Sequence, residues 1–326
     1  MRLRDASAVL LSDFADDTAL CEAAGGLHAL CGAITGVPDA SGAFEPSGGT
    51  FLSCGQAISP EDAARCVLDH RRTSKFLRGL LAAIRQAQVR FPGVAVEILY
   101  AGCGPFAPLA LPLTTRFGPH ELRFTLIDIH QTSLDTARRI FHAVGAGAWI
   151  RECIRCDAAS YHHQGPLPIH VVVAETMQAA LDKEPQVAIT ANLAPQLAVG
   201  GIFVPEKITI SACLCDLRAE FTTQPGEPVG AGTAQTRRTL GPVLDLRADH
   251  SGPTKRRIVI PADLDGDRYL SLATTIEVFG AIALTDGESG LTCLKVLLEL
   301  DKVHAGATYE LAYDMGPRPG FRVRPV

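Results

Sequence analysis

The sequence has no apolar run that could cross a membrane. No stretch approaches the roughly 18 consecutive apolar residues of a membrane span, although hydrophobic residues make up 47% of the 326-residue chain. Near the start, two arginines precede only a short apolar stretch that soon turns acidic, which does not match a signal peptide. We therefore expect a cytoplasmic protein with a sizeable core and no membrane partner.

An excess of basic residues is also missing. The formal net charge is −5, whereas a nucleic-acid binder normally carries a basic patch or stripe. Charged residues make up only 20% of the chain, which argues against global disorder. We expect no nucleic-acid partner, and the acidic balance fits a small cationic substrate.

The ten cysteines lack the arrangement of a zinc site. Cys153 and Cys156 form a C-x-x-C with His162 and His163 nearby, but a structural zinc site needs a second pair or histidines at suitable spacing. Scattered cysteines in a long chain without an export signal indicate reduced core thiols. We expect no metal, and we interpret Cys153 and Cys156 as two buried thiols at strand spacing.

The chain divides into three parts by pattern. Residues 1–58 begin with a predicted helix and continue into a stretch rich in glycine, proline and serine, which indicates a loop or linker. Residues 59–205 alternate strand and helix patterns, and residues 206–326 contain short strands separated by turn residues. This order predicts an α/β fold with a doubly wound parallel sheet, followed by a β-rich domain.

A glycine-rich turn follows the first strand predicted in the middle part. Val96 to Ala101 form the strand, Gly102 and Gly104 the turn, and a helix is predicted from Phe106. Glycine permits positive φ and lets the backbone approach a ligand closely. Ligands of doubly wound sheets bind at the carboxyl ends of the strands, so both glycines are predicted to contact a cofactor.

Acidic residues follow the next three predicted strands. Asp128 ends the second strand, where an acid commonly binds ribose hydroxyls, Asp157 follows the third, and Glu175 follows the fourth. Glu184 comes nine residues after Glu175. Most glutamates are solvated surface charges, but two carboxylates at the mouth of a sheet can hold a planar cation by bidentate hydrogen bonds. A guanidinium is therefore the predicted ligand of this glutamate pair, Glu175 and Glu184.

The glycine turn is compatible with two cofactors. Gly102-x-Gly104-x-x-Ala107 also fits the loose dinucleotide pattern, with Asp128 24 residues beyond Gly104. Pro105 removes a backbone N–H where the helix N-terminus should hold a pyrophosphate. S-adenosylmethionine carries ribose and adenine without a phosphate, so the turn favours it over a nicotinamide cofactor.

Together these motifs resemble the protein arginine N-methyltransferases. The resemblance covers roughly residues 66–326. Residues 68–73 are similar to the family's segment whose arginine binds the cofactor carboxylate, and Arg72 takes that position. Residues 174–177 resemble the family's Ser-Glu-Trp-Met, and residues 200–205 resemble the entry into its β-barrel domain. The order and spacing of the motifs, more than any single one, carry the resemblance.

The resemblance implies an S-adenosylmethionine-dependent N-methyltransferase, with a Rossmann-like cofactor-binding sheet followed by a barrel-like domain. It also implies two sets of site residues. The cofactor-binding set is Arg72, Gly102, Gly104, Asp128 and Asp157, the last facing the adenine amino group. The substrate-binding set is Glu175, Met177 and Glu184, of which the two glutamates are also catalytic.

Departures from the family pattern concern mainly the substrate. Tyr100 stands where the family's first motif has an acid, and Phe106 where it has a further glycine. The family's Thr-His-Trp loop, which helps wall the arginine pocket, corresponds to residues 292–294 without its histidine and tryptophan. The tyrosine-rich N-terminal motif has no clear match, and Phe51 or the loop at residues 36–55 is the candidate replacement. A rebuilt pocket favours a small substrate, as in the free-arginine methyltransferases of nitrosourea biosynthesis.

Three functions stay open on the sequence alone. The first is methylation of free L-arginine or a small arginine-like molecule, the second is methylation of protein arginines, and the third is a cofactor-binding pseudo-enzyme or interaction module. The intact glutamate pair argues against the third, whereas Tyr100 keeps it open. The family usually dimerises through an arm after the sheet. Residues 216–250 are either such an arm or a flexible loop, so a homodimer is an alternative to a monomer.

Overall fold

Helices are concentrated in the first half of the chain and strands in the second. The computed structural model describes residues 1–36, 48–217, 237–249 and 255–326. In these ranges the α-helices are α1 (Leu3–Leu10), α2 (Asp17–Thr35), α3 (Pro60–Arg65), α4 (His70–Arg90), α5 (Gln131–Ala143) and α6 (Gln186–Leu193). The strands are β1 (Thr50–Leu52), β2 (Gly55–Ala57), β3 (Val96–Ala101), β4 (Leu122–Asp128), β5 (Ile150–Arg155), β6 (Ile169–Ala174), β7 (Leu197–Val204), β8 (Lys207–Cys215), β9 (Arg238–Leu246), β10 (Lys255–Val259), β11 (Tyr269–Phe279), β12 (Ile282–Leu284), β13 (Lys295–Glu299), β14 (Thr308–Asp314) and β15 (Gly320–Pro325).

A five-stranded parallel sheet forms the centre of the first half. Its strand order is β5-β4-β3-β6-β7, and every neighbouring pair is parallel. All six residues of β6 are buried, as expected for a parallel strand covered on both faces. The order reverses between β3 and β6, and a crevice forms at such a switch point. The predicted α/β architecture is confirmed.

Helix α4 connects the parallel sheet to the antiparallel part. Its buried residues recur every three or four positions, from Phe76 to Ala87, which is the pattern of a helix with one apolar face. The helix packs on β6 and β7 at the sheet and on β11 and β12 beyond it. A Cβ atom at Gly79 would collide with Val278 Cγ1, so this glycine allows the helix to lie close to β11. The helix therefore packs against both halves of the molecule.

Two helices, α3 and α4, lie one after the other between Ser59 and Phe91. Ser59 caps α3, because its side chain accepts a hydrogen bond from the Asp62 N–H (3.1 Å). The chain then passes through a 3-10 turn, and Asp69 caps α4 by accepting from the Arg72 N–H (3.3 Å). A second good N-cap residue ends the first helix early and places Arg72 in the first turn of α4.

The helix predicted from Phe106 is wrong. The stretch after the glycine turn forms turns and a short 3-10 helix at Leu111–Thr115. Pro105, Pro108 and Pro112 have no backbone N–H to donate, and a proline inside a helix also clashes with the preceding turn. Ala107 adopts a φ of 41°, which a right-handed helix does not allow. The prolines therefore prevent the helix that the apolar character of this segment predicted.

The antiparallel part contains two sheets. The first has the order β12-β11-β8-β9, with β13 paired to β11, and the second has the order β10-β14-β15. The second half of β11 alternates between buried and partly exposed residues, as a strand with one face on the core does. The predicted β-rich second half is confirmed.

The N-terminal part contains two helices and a hairpin. Helix α2 packs against α4 and α5, and the hairpin β1–β2, which was not predicted, lies over the loop after β6. Gln56 N–H donates to the Lys183 carbonyl (2.8 Å). A Cβ atom at Gly55 would lie 2.8 Å from the Pro185 nitrogen. The hairpin therefore packs directly on the chain segment that carries Glu184.

Two predicted segments fall partly outside the described residues. Of the loop at residues 36–55, residues 37–47 lie outside, and of the arm at residues 216–250, residues 218–236 and 250 lie outside. The described part of that arm contains β9, a strand of the antiparallel sheet. Among the helices of the described ranges, none has the length and apolar character that crossing a membrane requires.

Candidate functional site

A cavity of about 910 Å³ lies at the carboxyl ends of the parallel strands. This volume is typical of sites that enclose a small molecule. The structure brings all the site residues predicted from the sequence to its wall, and their individual roles stay predictions. They are Arg72, Gly102, Gly104, Asp128, Asp157, Glu175, Met177 and Glu184.

The glycine turn after β3 forms one wall of the cavity. Gly102 and Gly104 have φ angles of 65° and 61°, in the left-handed region that glycine adopts without a steric penalty. Gly102 N–H donates to the Ile127 carbonyl (2.9 Å), and a Cβ atom at Gly102 would collide with Thr176 Cγ2. The turn is thus held between the ends of β4 and β6, where only glycine fits.

Asp128 binds the glycine turn through its side chain. Its Oδ2 accepts from the Gly104 N–H (2.9 Å) and its Oδ1 from the His130 N–H (2.8 Å). The Gly104 N–H is therefore already used inside the protein, and the next residue, Pro105, has none. The turn lacks the free N–H donors that a pyrophosphate needs, while the Asp128 carboxylate keeps lone pairs for further donors.

Asp157 lies on the neighbouring strand end. Cys156 N–H donates to the Asp128 carbonyl (3.0 Å), which joins the two acidic loops. The Asp157 Oδ1 atom accepts from the Ala159 N–H (2.9 Å), so the local backbone orients this side chain as well. Two carboxylates on adjacent strands can accept hydrogen bonds from hydroxyl or amino groups of one ligand.

Gln186 holds the start of the loop that carries the glutamate pair. Its fully buried side chain donates to the Ala174 carbonyl (3.1 Å) and accepts from the Thr176 N–H (3.0 Å). These bonds fix Glu175, which lies between the two contacted residues. Sequence reasoning missed Gln186; its signal was an amide at the start of an apolar helix, where a polar side chain needs a buried partner.

The end of the same loop has an unusual backbone. Ala180, Leu181 and Lys183 adopt positive φ angles of 57°, 56° and 65°, and each costs an L-residue roughly 1–2 kcal/mol. The antiparallel part stabilises this conformation, since Tyr313 Oη donates to the Leu181 carbonyl (2.7 Å) and Lys183 N–H donates to the Pro319 carbonyl (2.8 Å). Both halves of the molecule therefore set the position of Glu184.

Arg72 forms an ion pair with Glu175. Its Nε (2.9 Å) and Nη2 atoms both donate to Glu175 Oε2, and both side chains are largely buried. The Glu175 Oε1 atom is buried without a hydrogen-bond partner among the described residues. Burial alone would lower the pKa of Arg72, but the Glu175 carboxylate holds this pKa above its usual value. Arg72 thus orients Glu175 and leaves one carboxylate oxygen for a ligand.

Both residues of the glutamate pair have raised pKa values. Burial, followed by the charge of Glu175, raises the pKa of Glu184 to about 7. Burial also raises the pKa of Glu175, although Arg72 opposes this change. Two buried carboxylates share one protein guanidinium here, and an incoming cation would favour the ionised form of both. The arrangement is suited to binding a positively charged group.

Apolar and small residues complete the wall. Tyr100 and Met177 are buried beside the glycine turn and the glutamate pair. Gly290 and Leu291, just before the stretch that corresponds to the Thr-His-Trp loop, line the cavity, whereas Thr292 is fully buried in a capping turn. Part of the wall that the sequence placed at residues 292–294 is therefore supplied by the two residues before it.

Among the comparisons with known proteins, only the one with solved structures gives a match. No protein-family model matches the chain, and no curated protein matches it. Among solved structures, the chain is similar to the Trypanosoma brucei PRMT1 enzyme-prozyme heterotetrameric complex with AdoHcy. The identity is 12%, the similarity covers 80% of this chain and 91% of that chain, and the TM-score is 0.55. At this level of identity the likeness shows a shared fold.

Proposed function

We propose that the chain is an S-adenosylmethionine-dependent N-methyltransferase that methylates a guanidino nitrogen of arginine. Its substrate in this proposal is free L-arginine or a small arginine-like molecule. The supporting observation is the buried glutamate pair, with Glu175 Oε1 unpartnered among the described residues, in a cavity shared with the glycine turn and Asp128. The similarity to a solved complex that holds AdoHcy supports the same reading.

The cavity fits S-adenosylmethionine better than a dinucleotide. When bound, this cofactor supplies an activated methyl group on a positively charged sulfonium. Gly102 and Gly104 would let the backbone approach it, Asp128 would accept from the ribose hydroxyls, and Asp157 from the adenine amino group. Arg72 has N–H donors beyond those used on Glu175, which its carboxylate end can occupy. The Gly104 N–H, committed to Asp128, suits a ligand without phosphate.

The glutamate pair would hold the substrate guanidinium. A guanidinium is protonated at neutral pH, with a pKa above about 12, and its nitrogens are poor nucleophiles. Carboxylates bound to two of the nitrogens concentrate the positive charge there and leave the third nitrogen with more lone-pair character. Glu184, whose pKa is raised to about 7, then suits the role of proton acceptor at neutral pH, either directly or through a water.

Methylation of protein arginines is the second candidate. The similarity to a PRMT1 complex favours it. Against it, the hairpin β1–β2 lies over the glutamate loop, and Gly48, Gly49 and Leu52 line the cavity, which narrows the room for a peptide. A pseudo-enzyme is the third candidate, and the buried, unpartnered oxygen of Glu175 argues against it. The homodimer, the cytoplasmic location and a place in natural-product biosynthesis stay predictions.

Methyl-labelled S-adenosylmethionine tests the proposed function. The chain is incubated with this cofactor and either free L-arginine or the protein fraction of a cell lysate, and the label is traced by mass spectrometry. We expect label in methylarginine only when L-arginine is added, with a reaction lacking the chain as the control. Label in protein alone would support the second candidate, and label in neither would support the third.

We expect the rate of arginine methylation to fall below neutral pH. Glu184 is neutral at pH values below its pKa of about 7 and ionised above it, and only the ionised form can bind the guanidinium fully. The value of kcat/KM should therefore rise with pH and level off above about pH 7, as a pH profile of the free enzyme reports. Cofactor affinity measured over the same range is the control and should stay nearly constant. A profile that is flat through pH 7 would contradict the role of Glu184.

A further inference from the structure

Two oppositely charged side chains line the cavity beside the glutamate pair. Lys295 Nζ donates to Asp182 Oδ2 at 2.7 Å, and both residues belong to the cavity wall. The two side chains are 41% and 20% exposed, whereas Glu184 is only 7% exposed. The pair therefore lies towards the solvent side of the cavity, and the glutamates lie towards its closed end.

Three chain segments hold the ion pair of Asp182 and Lys295 in place: the glutamate loop, the start of β15 and the start of β13. Asp182 precedes Glu184 in the same loop, where the Glu184 N–H donates to the Asp182 carbonyl (2.8 Å). A Cβ atom at Gly320 would lie 2.7 Å from Asp182 Oδ1, so the glycine at the start of β15 leaves room for this carboxylate. Lys295 begins β13 and is paired with Leu272 of β11, which fixes the lysine backbone. Both charges are thus held by the antiparallel part.

The geometry points to a subsite for the amino-acid end of the substrate, an inference that rests on the proposed function. We propose that Lys295 binds the α-carboxylate and Asp182 the α-ammonium group of a free guanidino amino acid. Its guanidinium lies on the glutamate pair at the closed end of the cavity. Each contact is a charge-assisted hydrogen bond, which is stronger than a neutral one.

This subsite separates free arginine from peptide-borne arginine. A free amino acid exchanges the Asp182–Lys295 ion pair for two ion pairs with its own charged groups. In a peptide the same backbone positions are neutral amides, so the Asp182–Lys295 ion pair stays as it is and the substrate gains no ion pair there. Specificity is a difference between two binding free energies, and here the difference comes from the two ion pairs that only the free amino acid makes. Asp182 and Lys295 are therefore specificity-determining residues of the site.

The variant Lys295→Met tests the assignment with three guanidines. L-arginine carries both charged groups, agmatine lacks the carboxylate, and N-acetyl-L-arginine amide lacks both charges. We expect kcat/KM for L-arginine to fall by about 10–100-fold, mainly through KM, because the lost contact is made equally before and during the reaction. The values for agmatine and the blocked arginine should change by less than about twofold.

The variant Asp182→Asn provides a complementary test. It should weaken the use of L-arginine and of agmatine, which both carry the amino group, and spare 5-guanidinovalerate, which lacks it. Lys207→Met is the matched control for the lysine variant. Lys207 lies on β8 and, like Lys295, forms an ion pair with an aspartate, Asp245, at 3.3 Å. All substrates should react with that variant as with the wild type.

Several results would overturn the subsite. Equal losses for all three guanidines in Lys295→Met would show that the pair only ties the glutamate loop to β13. An L-arginine-specific loss in Lys183→Met instead would move the carboxylate contact to the other lysine of the cavity wall. A wild type that uses blocked arginine as well as L-arginine would refute the subsite and leave the proposed function intact. A wild type that methylates no guanidine would refute the proposed function and the subsite with it.

Discussion

Replacing Glu184 with glutamine is expected to lower methyl transfer to L-arginine by roughly 10²–10⁴-fold, as loss of a general base commonly does. Glutamine keeps the size of the side chain but puts an NH₂ donor where a guanidinium also presents donors. The variant further loses the group whose pKa of about 7 suits it to accept the proton. Single-turnover rates measure the loss. Cofactor affinity by calorimetry should stay close to that of the wild type.

The stability of the same variant shows whether the fold is intact. An acid whose pKa is raised in the folded state loses stability as pH rises from its unfolded pKa to its folded pKa, here from 4.5 to about 7. Above that range the wild type carries the full penalty, at most about 3 kcal/mol, and Glu184→Gln removes it. We expect the variant to resist urea better at pH 8. Glu277→Gln on β11 is the matched control, and full activity in Glu184→Gln would contradict the assignment.

Replacing Arg72 with methionine is expected to destabilise the fold by about 3–5 kcal/mol, the usual cost of removing one partner of a buried ion pair and leaving the other unpaired. Glu175 would remain buried beside Glu184 without the Arg72 guanidinium, which offsets both charges. The variant should also bind S-adenosylmethionine much more weakly, because the proposed carboxylate contact is lost. Urea unfolding and calorimetry measure the two effects separately.

A double variant separates charge from packing in that result. Arg72→Met combined with Glu175→Gln leaves no unpaired charge at this position, so part of the stability should return. Arg138→Met serves as the control, because the Arg138–Asp135 pair (3.4 Å) is exposed and such pairs contribute only about 0–1 kcal/mol. Equal losses of stability in Arg138→Met and Arg72→Met would show that the buried Arg72–Glu175 pair stabilises the fold no more than an exposed pair does.

The place of the site could be predicted from the sequence because strand patterns predict topology. Asp128, Asp157 and Glu175 each lie at or just after the end of a predicted strand, and parallel strands end at one edge of their sheet. Residues far apart in the chain therefore meet there without any long-range information. The β-rich second half was predictable for a similar reason, since its short alternating strands and turns repeat along the sequence.

The contact between Arg72 and Glu175 could not be predicted in the same way. The two residues are 103 positions apart, and the motifs assigned one to the cofactor and the other to the substrate. Their pairing depends on the break at Asp69, which sets where α4 begins, and on the close packing at Gly79. The first is a local capping effect and the second a tertiary contact. Neither leaves a periodic pattern in the sequence, and tertiary context routinely overrides local propensity.

The hydrogen bonds of polar side chains were equally hidden. Gln186 holds Glu175 through the Ala174 carbonyl and the Thr176 N–H, and Ser289 Oγ donates to Asp69 Oδ2 (2.7 Å). Such residues read as ordinary polar positions in a sequence. Their importance follows from burial, because a buried polar group needs a partner, and burial is known only once the fold is in place.

The glycine turn and the Asp182–Lys295 pair open into one continuous cavity. A single synthetic molecule that joins adenosine to a guanidino amino acid through a short linker could occupy both ends at once. Linking the two parts makes the second contact intramolecular, so its affinity can exceed that of either part by about 10²–10⁴-fold. If the proposed function holds, the amino-acid end of such a bisubstrate inhibitor would need the Asp182–Lys295 pair, and the inhibitor would discriminate this chain from methyltransferases that accept arginine within a peptide.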